Sequence, residues 1–92
     1  MAEQGAPVQL IADRMSELYA DEASLRRVLA LAGVDARRVW MGGQALNAWW
    51  SAVLEAQRQG RLVALVEIGL EEYPLDEGLW AAHCLLMSAA RS

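Results

Sequence analysis

Residues 42–60, with the sequence GGQALNAWWSAVLEAQRQG, carry the clearest helical pattern in this chain of 92 residues. Two glycines open the stretch and one closes it. Between them, apolar side chains recur at the three- and four-residue spacing of a single helix face. The members of this stripe are Leu46, Trp49, Trp50, Val53 and Leu54. We therefore predict a central helix whose adjacent tryptophans, about 100° apart around its axis, widen the buried face.

The composition indicates one helical domain. The chain is 55% hydrophobic and contains seven Gly and two Pro, a balance that favours a compact helical protein over a disordered one. At this length, almost every helix must bury a face in a common core. Residues 1–6 show no periodicity. The sequence predicts a flexible lead-in over residues 1–6 and a single domain over residues 7–91.

Five further helices are predicted around the central one, over residues 7–19, 22–32, 36–41, 61–72 and 77–90. Asp21, Asp35 and Asp76 can each cap the helix that follows, and Gly33 provides a left-handed stop. Gly69 interrupts an apolar stripe, which suggests that another helix approaches closely there. With short turns between the helices, the sequence predicts an all-α fold, a six-helix antiparallel bundle. The main core residues are expected to be Leu46, Trp49, Trp50, Val53, Leu62, Leu65 and Val66.

Residues suited to catalysis or to metal binding are scarce. The single His83 and the single Cys84 are neighbours on one predicted helix, where their side chains diverge, so a nucleophilic pair is not expected. Their spacing matches no zinc site, and the carboxylates of residues 67–77 lack the spacing of a calcium loop. The sequence therefore predicts no enzyme activity, no cofactor and no metal. One cysteine, no secretory signal and no long apolar run indicate a cytoplasmic protein with no membrane partner.

The charged residues favour a protein partner over a nucleic acid. The net charge of −4 and the pI of about 4.8 argue against a nucleic-acid-binding helix-turn-helix. The predicted basic patch is Arg26, Arg27, Arg37 and Arg38. The predicted acidic patch is Glu67, Glu71, Glu72, Asp76 and Glu77. This separation is typical of a protein that docks on a complementary surface, although ordinary scattered surface charge is the alternative.

The last predicted helix is apolar nearly all round, which leaves two interpretations. Either it is the most buried helix, or it faces a partner. Under the second interpretation, Ile68 and Leu85, which point away from the predicted core stripes, form an apolar interface.

Two segments resemble a known family. They are ELYADEASLRRVLALAGVD (residues 17–35) and ALNAWWSAVLEAQRQGRLVALVEIGLEEYP (residues 45–74), about two-thirds of the chain. Five features are similar to those of bacterial death-like domains. They are the acidic entry to the second helix, the Ala32-Gly33-Val34-Asp35 exit, the Trp of the fourth predicted helix, the Gln59-Gly60-Arg61-Leu62 turn and the Glu71-Glu72-Tyr73-Pro74 exit. These domains are also called effector-associated domains and are related to the caspase-recruitment branch of the death-domain superfamily. Many relatives have His where this chain has Trp50.

The resemblance implies a six-helix death-fold adaptor without catalytic residues. Its expected partner is another death-like domain, on a second copy or on an effector such as a protease, a TIR domain or a nucleotide-switched ATPase in bacterial antiphage or conflict systems. An alternative function is ligand sensing, in a regulatory helical domain whose pocket lies by Trp40, Trp49 and Trp80.

Overall fold

The helices begin and end within a few residues of their predicted positions. The structure is a computed structural model that describes the backbone of residues 5–91 and the side chains of residues 7–89. Its α-helices are α1 (Gly5–Leu18), α2 (Glu22–Ala32), α3 (Ala45–Arg58), α4 (Leu62–Glu72) and α5 (Glu77–Arg91), with a 3₁₀ turn at Ala36–Arg38. Over the described residues the fold is therefore all-helical, as predicted.

The number of α-helices differs from the prediction. The segment expected to form a helix over residues 36–41 forms only the 3₁₀ turn, which Asp35 caps by accepting a hydrogen bond from Arg37 N at 3.0 Å. Val39 leaves the turn in an extended conformation, and Gly43 has a φ of 78°. So few residues before a glycine pair cannot offset the cost of nucleating an α-helix. The described part of the chain thus has five α-helices instead of six.

The predicted helix caps are confirmed. Asp21 accepts a hydrogen bond from Ser24 N at 2.9 Å, and Asp76 accepts one from Leu79 N at 2.9 Å. Gly33 ends α2 with a φ of 77°, a left-handed conformation that glycine adopts without steric cost. These local signals place the helix ends, and therefore the turns that carry the surfaces described below.

The N-terminus is helical earlier than predicted. Helix α1 begins at Gly5, so Pro7 lies within its first turn, where a missing N–H is tolerated. Two of the six residues predicted as a lead-in are therefore helical. The other four, residues 1–4, lie outside the described residues.

The buried face of α3 is rotated away from the predicted apolar stripe, towards a row of alanines. The buried apolar residues of α3 are Ala48, Trp49, Ala52, Val53 and Ala56. Leu46 is 38% exposed and Leu54 is 49% exposed, which corrects their expected positions, and Trp50 is half-buried at the edge of the core. Alanines four residues apart allow a neighbouring helix to approach closely, so small side chains define the packed face better than the leucines do.

Helix α4 packs closely on two neighbours through Gly69. Leu62, Leu65 and Val66 are buried on this helix. A Cβ atom at Gly69 would lie 2.9 Å from Leu79 Cδ1 on α5 and 3.3 Å from Met15 Sδ on α1. The close approach predicted at this glycine is therefore confirmed.

The last helix and the 3₁₀ turn pack against different neighbours. Helix α5 packs against α1 and α4, whereas the 3₁₀ turn packs against α2 and α3.

Candidate interaction surfaces

An ion pair joins the basic patch and the acidic patch predicted from the sequence. Arg27 on α2 donates hydrogen bonds to both carboxylate oxygens of Glu72 on α4, at 2.6 and 3.1 Å. Tyr19 Oη donates to Glu72 Oε1 at 2.6 Å, and the Arg27 guanidinium lies 5.9 Å from the centre of the Tyr19 ring. Arg27 and Glu72 therefore stabilise the monomer, which corrects their assignment to two opposed patches.

This network shifts the pKa values of its acidic members in opposite directions. Hydrogen bonds from Arg27 and then Tyr19 lower the pKa of Glu72 to about 2, because they favour the ionised carboxylate. Burial, followed by the hydrogen bond to Glu72, raises the pKa of Tyr19 above its ordinary value. At neutral pH the carboxylate is therefore ionised and the phenol keeps its proton.

A second ion pair holds the start of α5. Arg14 on α1 donates through Nε to Asp76 Oδ2 at 3.2 Å, and Arg14 Nη2 contacts Asp76 Oδ1. The hydrogen bond from Arg14 is the main cause of the lowered pKa of Asp76. Asp76, which the sequence assigned to the acidic patch, thus acts as a helix cap and as the anchor of α5 to α1.

The remaining members of the acidic patch lie on α4 and at the start of α5. Glu67 Oε2 lies 3.3 Å from His83 Nε2. Glu71 and Glu77 are exposed. Glu71 and Glu77 therefore give the α4–α5 turn an acidic rim, whereas the charge of Glu72 is balanced by Arg27.

Part of the predicted basic patch forms a cleft with an arginine that was not assigned to it. Arg26 pairs with Glu22 at 2.9 Å on α2. Arg37 and Arg38 instead line a cleft of about 320 Å³ with Arg58 from the end of α3. The other lining residues of this cleft are Asp35, Glu55 and Gln59. Three guanidinium groups thus face two carboxylates, which leaves the cleft with a net positive charge.

The carboxylates of the cleft are fixed by its own side chains. Arg37 Nη2 donates to Asp35 at 2.7 Å, and this pairing lowers the pKa of Asp35 to about 2. Glu55 is 8% exposed and accepts hydrogen bonds from Arg58 at 2.5 Å and from Gln59 Nε2 at 2.7 Å, which lower its pKa. Glu55 is thus a buried carboxylate whose partners lie within the cleft.

Several large apolar side chains lie on the surface. Leu75, in the α4–α5 turn, is 90% exposed, and Trp40, before α3, is 62% exposed. Leu85, one of two residues predicted to form an apolar interface, is 46% exposed. Ile68, the other residue predicted to form this interface, is half-buried against the core. Leu85 on α5 is therefore accessible to a partner, whereas Ile68 on α4 contributes to the core.

The three tryptophans proposed to line a common pocket lie in different surroundings. Trp49 is buried and donates through Nε1 to Tyr19 O at 2.8 Å. The Trp40 ring lies against Gly42, whereas Trp80 donates to Pro74 O at 2.6 Å. A cleft of about 120 Å³ beside Trp49 is lined by neither of the other two tryptophans. The structure therefore contradicts the pocket on which the ligand-sensing alternative depends.

The side chains singled out for possible chemistry lie in different surroundings. Cys84 is exposed, whereas His83 contacts Glu67 and meets the Trp80 ring edge-on, with 6.0 Å between ring centres. Among the described residues, no group of three His, Cys, Asp or Glu side chains is arranged to hold a metal ion. The described helices also include none with the length and apolar character needed to span a membrane.

The fold and these surfaces define an all-helical domain whose charged and exposed apolar residues lie around a single core. The family model for effector-associated domain 1 matches residues 1–82. This match covers most of the chain, so the protein belongs to the effector-associated domain 1 family. No curated protein and no solved structure matches the chain.

Three surface residues have contacts or exposure that the sequence did not predict. Arg14 and Arg58 were not assigned to any site, because their partners depend on how the helices pack. Leu75 did carry a usable signal: it is a large apolar residue in a turn between Pro74 and Asp76, where a polar residue is more usual.

Proposed function

We propose that this chain is a homotypic protein–protein interaction module, an adaptor that recruits or clusters an effector in bacterial antiphage or conflict systems. The single observation that carries this proposal is membership of the effector-associated domain 1 family across residues 1–82. The effector would be a protease, a TIR domain or a nucleotide-switched ATPase that carries, or is bound by, a domain of the same kind. The protein acts in the cytoplasm and has no catalytic role of its own.

The surface chemistry supports this function. A module that binds like with like needs complementary regions on one folded unit, and this chain carries an acidic rim at one end and a net positive cleft elsewhere. Large exposed apolar residues are also present, among them Leu75 in the α4–α5 turn and Trp40 before α3. We further propose that the bundle is a variant of the death fold, in which the third of six helices is shortened to the 3₁₀ turn at Ala36–Arg38.

Pairwise binding tests this function directly. The chain is measured against itself and against every other effector-associated domain encoded in the same genome, with an unrelated acidic helical domain of similar size as the control. We expect saturable binding to at least one such domain, weaker at high salt because charged groups contribute, and none to the control. If the chain binds neither itself nor any of these domains, the adaptor function is contradicted.

A further inference from the structure

The turn between α4 and α5 presents a group of exposed apolar side chains. Leu75 is 90% exposed, Trp80 is 47% exposed and Tyr73 is 39% exposed. We call Tyr73, Leu75 and Trp80 the turn surface. The exposed residues Glu71 and Glu77, two positions from Tyr73 and Leu75 in the chain, border it.

The turn surface is held in place by contacts on several sides. Trp80 Nε1 donates to Pro74 O at 2.6 Å, which fixes the indole against the turn. The Tyr73 ring meets Tyr19 edge-on, with 5.5 Å between ring centres, and Arg14 holds Asp76. An apolar group that is already ordered loses little conformational freedom on binding, which favours its use as a contact.

A second group of exposed apolar residues lies beside the basic cleft. Trp40 is 62% exposed and Leu54 is 49% exposed. Trp40 N donates to Ser51 Oγ at 3.0 Å, which places Trp40 next to the part of α3 that contains Leu54. Arg58 follows Leu54 by four residues and therefore lies on the same side of the helix. We call Trp40, Leu54, Arg37, Arg38 and Arg58 the α3 surface.

The two surfaces are complementary in charge and in polarity. One has apolar side chains with an acidic border, and the other has apolar side chains beside three guanidinium groups that face two carboxylates. Charged borders of opposite sign set the orientation of an interface, whereas a few ordered apolar side chains supply most of its binding energy. Among residues 7–89, no hydrogen bond, ion pair or ring contact joins the turn surface to the α3 surface within one copy.

We infer that the turn surface of one copy docks on the α3 surface of a second copy of this chain. Leu75 lies against Trp40 and Leu54 of the next copy, and the carboxylates of Glu71 and Glu77 approach its basic cleft. Because different surfaces meet, each added copy leaves one of each kind free, and the contact can continue into a ring or an open filament. This inference rests on the proposed homotypic function and names the residues that perform it.

The test compares three leucine substitutions of the same kind. Leu75→Glu changes the turn surface, Leu54→Glu changes the α3 surface, and Leu85→Glu is the matched control at an exposed position on α5 outside both. We expect the first two to weaken self-association by at least about tenfold, a typical loss at a central interface residue. The control should associate as the unmodified chain does. All three positions are exposed, so melting temperatures by circular dichroism should remain close to that of the parent.

Mixing separates this contact from other ways of self-associating. The Leu75→Glu chain keeps an intact α3 surface, and the Leu54→Glu chain keeps an intact turn surface. An equal mixture should therefore form a one-to-one dimer and stop there, as measured by light scattering after size-exclusion chromatography. A mixture that stays monomeric overturns the inference, because the two surfaces then do not bind each other.

Other outcomes distinguish this inference from the function on which it rests. If the parent associates and both variants associate equally well, or if only Leu85→Glu prevents association, the docking of these two surfaces is wrong while the homotypic function stands. If the parent is monomeric at near-millimolar concentration, a second copy is not the partner of these surfaces. The homotypic function is then decided by binding to effector-borne domains alone.

Discussion

Trp49 should contribute more to the free energy of unfolding than its neighbour Trp50. The substitution Trp49→Phe measures the contribution of Trp49. Trp49 is 1% exposed and its indole N–H donates to Tyr19 O. The substitution removes about three buried heavy atoms, worth about 2 kcal/mol at about 0.8 kcal/mol for each buried methylene. It also removes the hydrogen bond to a carbonyl in the core, which costs about 1–3 kcal/mol. We expect a loss of about 3–5 kcal/mol from the free energy of unfolding.

Thermal and urea unfolding, followed by circular dichroism, measure this loss. For a domain of this size the loss corresponds to a fall of at least about 12 °C in melting temperature. Trp50→Phe is the matched control, because Trp50 is half-buried and packs at the edge of the core. It should cost about 1 kcal/mol. If Trp50→Phe costs as much as Trp49→Phe or more, the orientation of α3 described here is wrong.

Three further substitutions test the packing, the ion-pair network and a helix cap. Gly69→Ala should lower the free energy of unfolding by about 0–2 kcal/mol. Crowding against Leu79 costs about 1–3 kcal/mol, and the better helix propensity of alanine offsets about 1 kcal/mol of that cost. An increase in melting temperature would contradict the close helix contact. Glu72→Gln should be less stable than the parent at neutral pH, and this difference in stability should narrow as the pH falls from 4.5 towards 2. The reason is that Glu72 has a pKa of about 2 in the folded protein and 4.5 in the unfolded chain, so protonation favours the unfolded chain over that interval. A stability difference independent of pH would argue against the Arg27 pairing. Asp21→Ala should cost about 1 kcal/mol in urea unfolding through the lost cap on α2, and no change would contradict the hydrogen bond to Ser24 N.

The sequence predicted most of the helix positions because their signals are local. Asp21, Asp76 and Gly33 act on backbone groups within a few residues of themselves, so they can be read without knowing the fold. The third helix was the exception. A segment of six residues carries too little information to distinguish an α-helix from a 3₁₀ turn, since both tolerate the same residues.

The buried face of α3 could be predicted only in part. Hydrophobicity favoured Leu46 and Leu54, but the packed side follows the alanines, because the space available to α3 depends on how closely its neighbours approach. Ala48, Ala52 and Ala56 are weakly hydrophobic and therefore contributed little to the pattern. Trp49 lies on both the predicted apolar stripe and the observed buried face, so its burial was predicted correctly.

The surfaces could be predicted from the sequence only as a list of charges. Arg27 and Glu72 are 45 residues apart in the chain, and their pairing arises from the packing of α2 against α4. In the same way, Arg58 joins Arg37 and Arg38 only because the 3₁₀ turn packs against α3. The sequence thus shows which residues are charged, whereas their grouping into patches and their pairing depend on how the helices pack.

Sedimentation velocity of the unmodified chain, from micromolar to near-millimolar concentration, tests the central claim that this domain binds its own kind through charged and apolar surfaces. We predict a sedimentation coefficient that rises with concentration at about 0.05 M salt and rises less at about 0.5 M salt, because screening weakens the charged border of the contact while the apolar part remains. A single species of 10.1 kDa at every concentration and at both salt levels would contradict self-association.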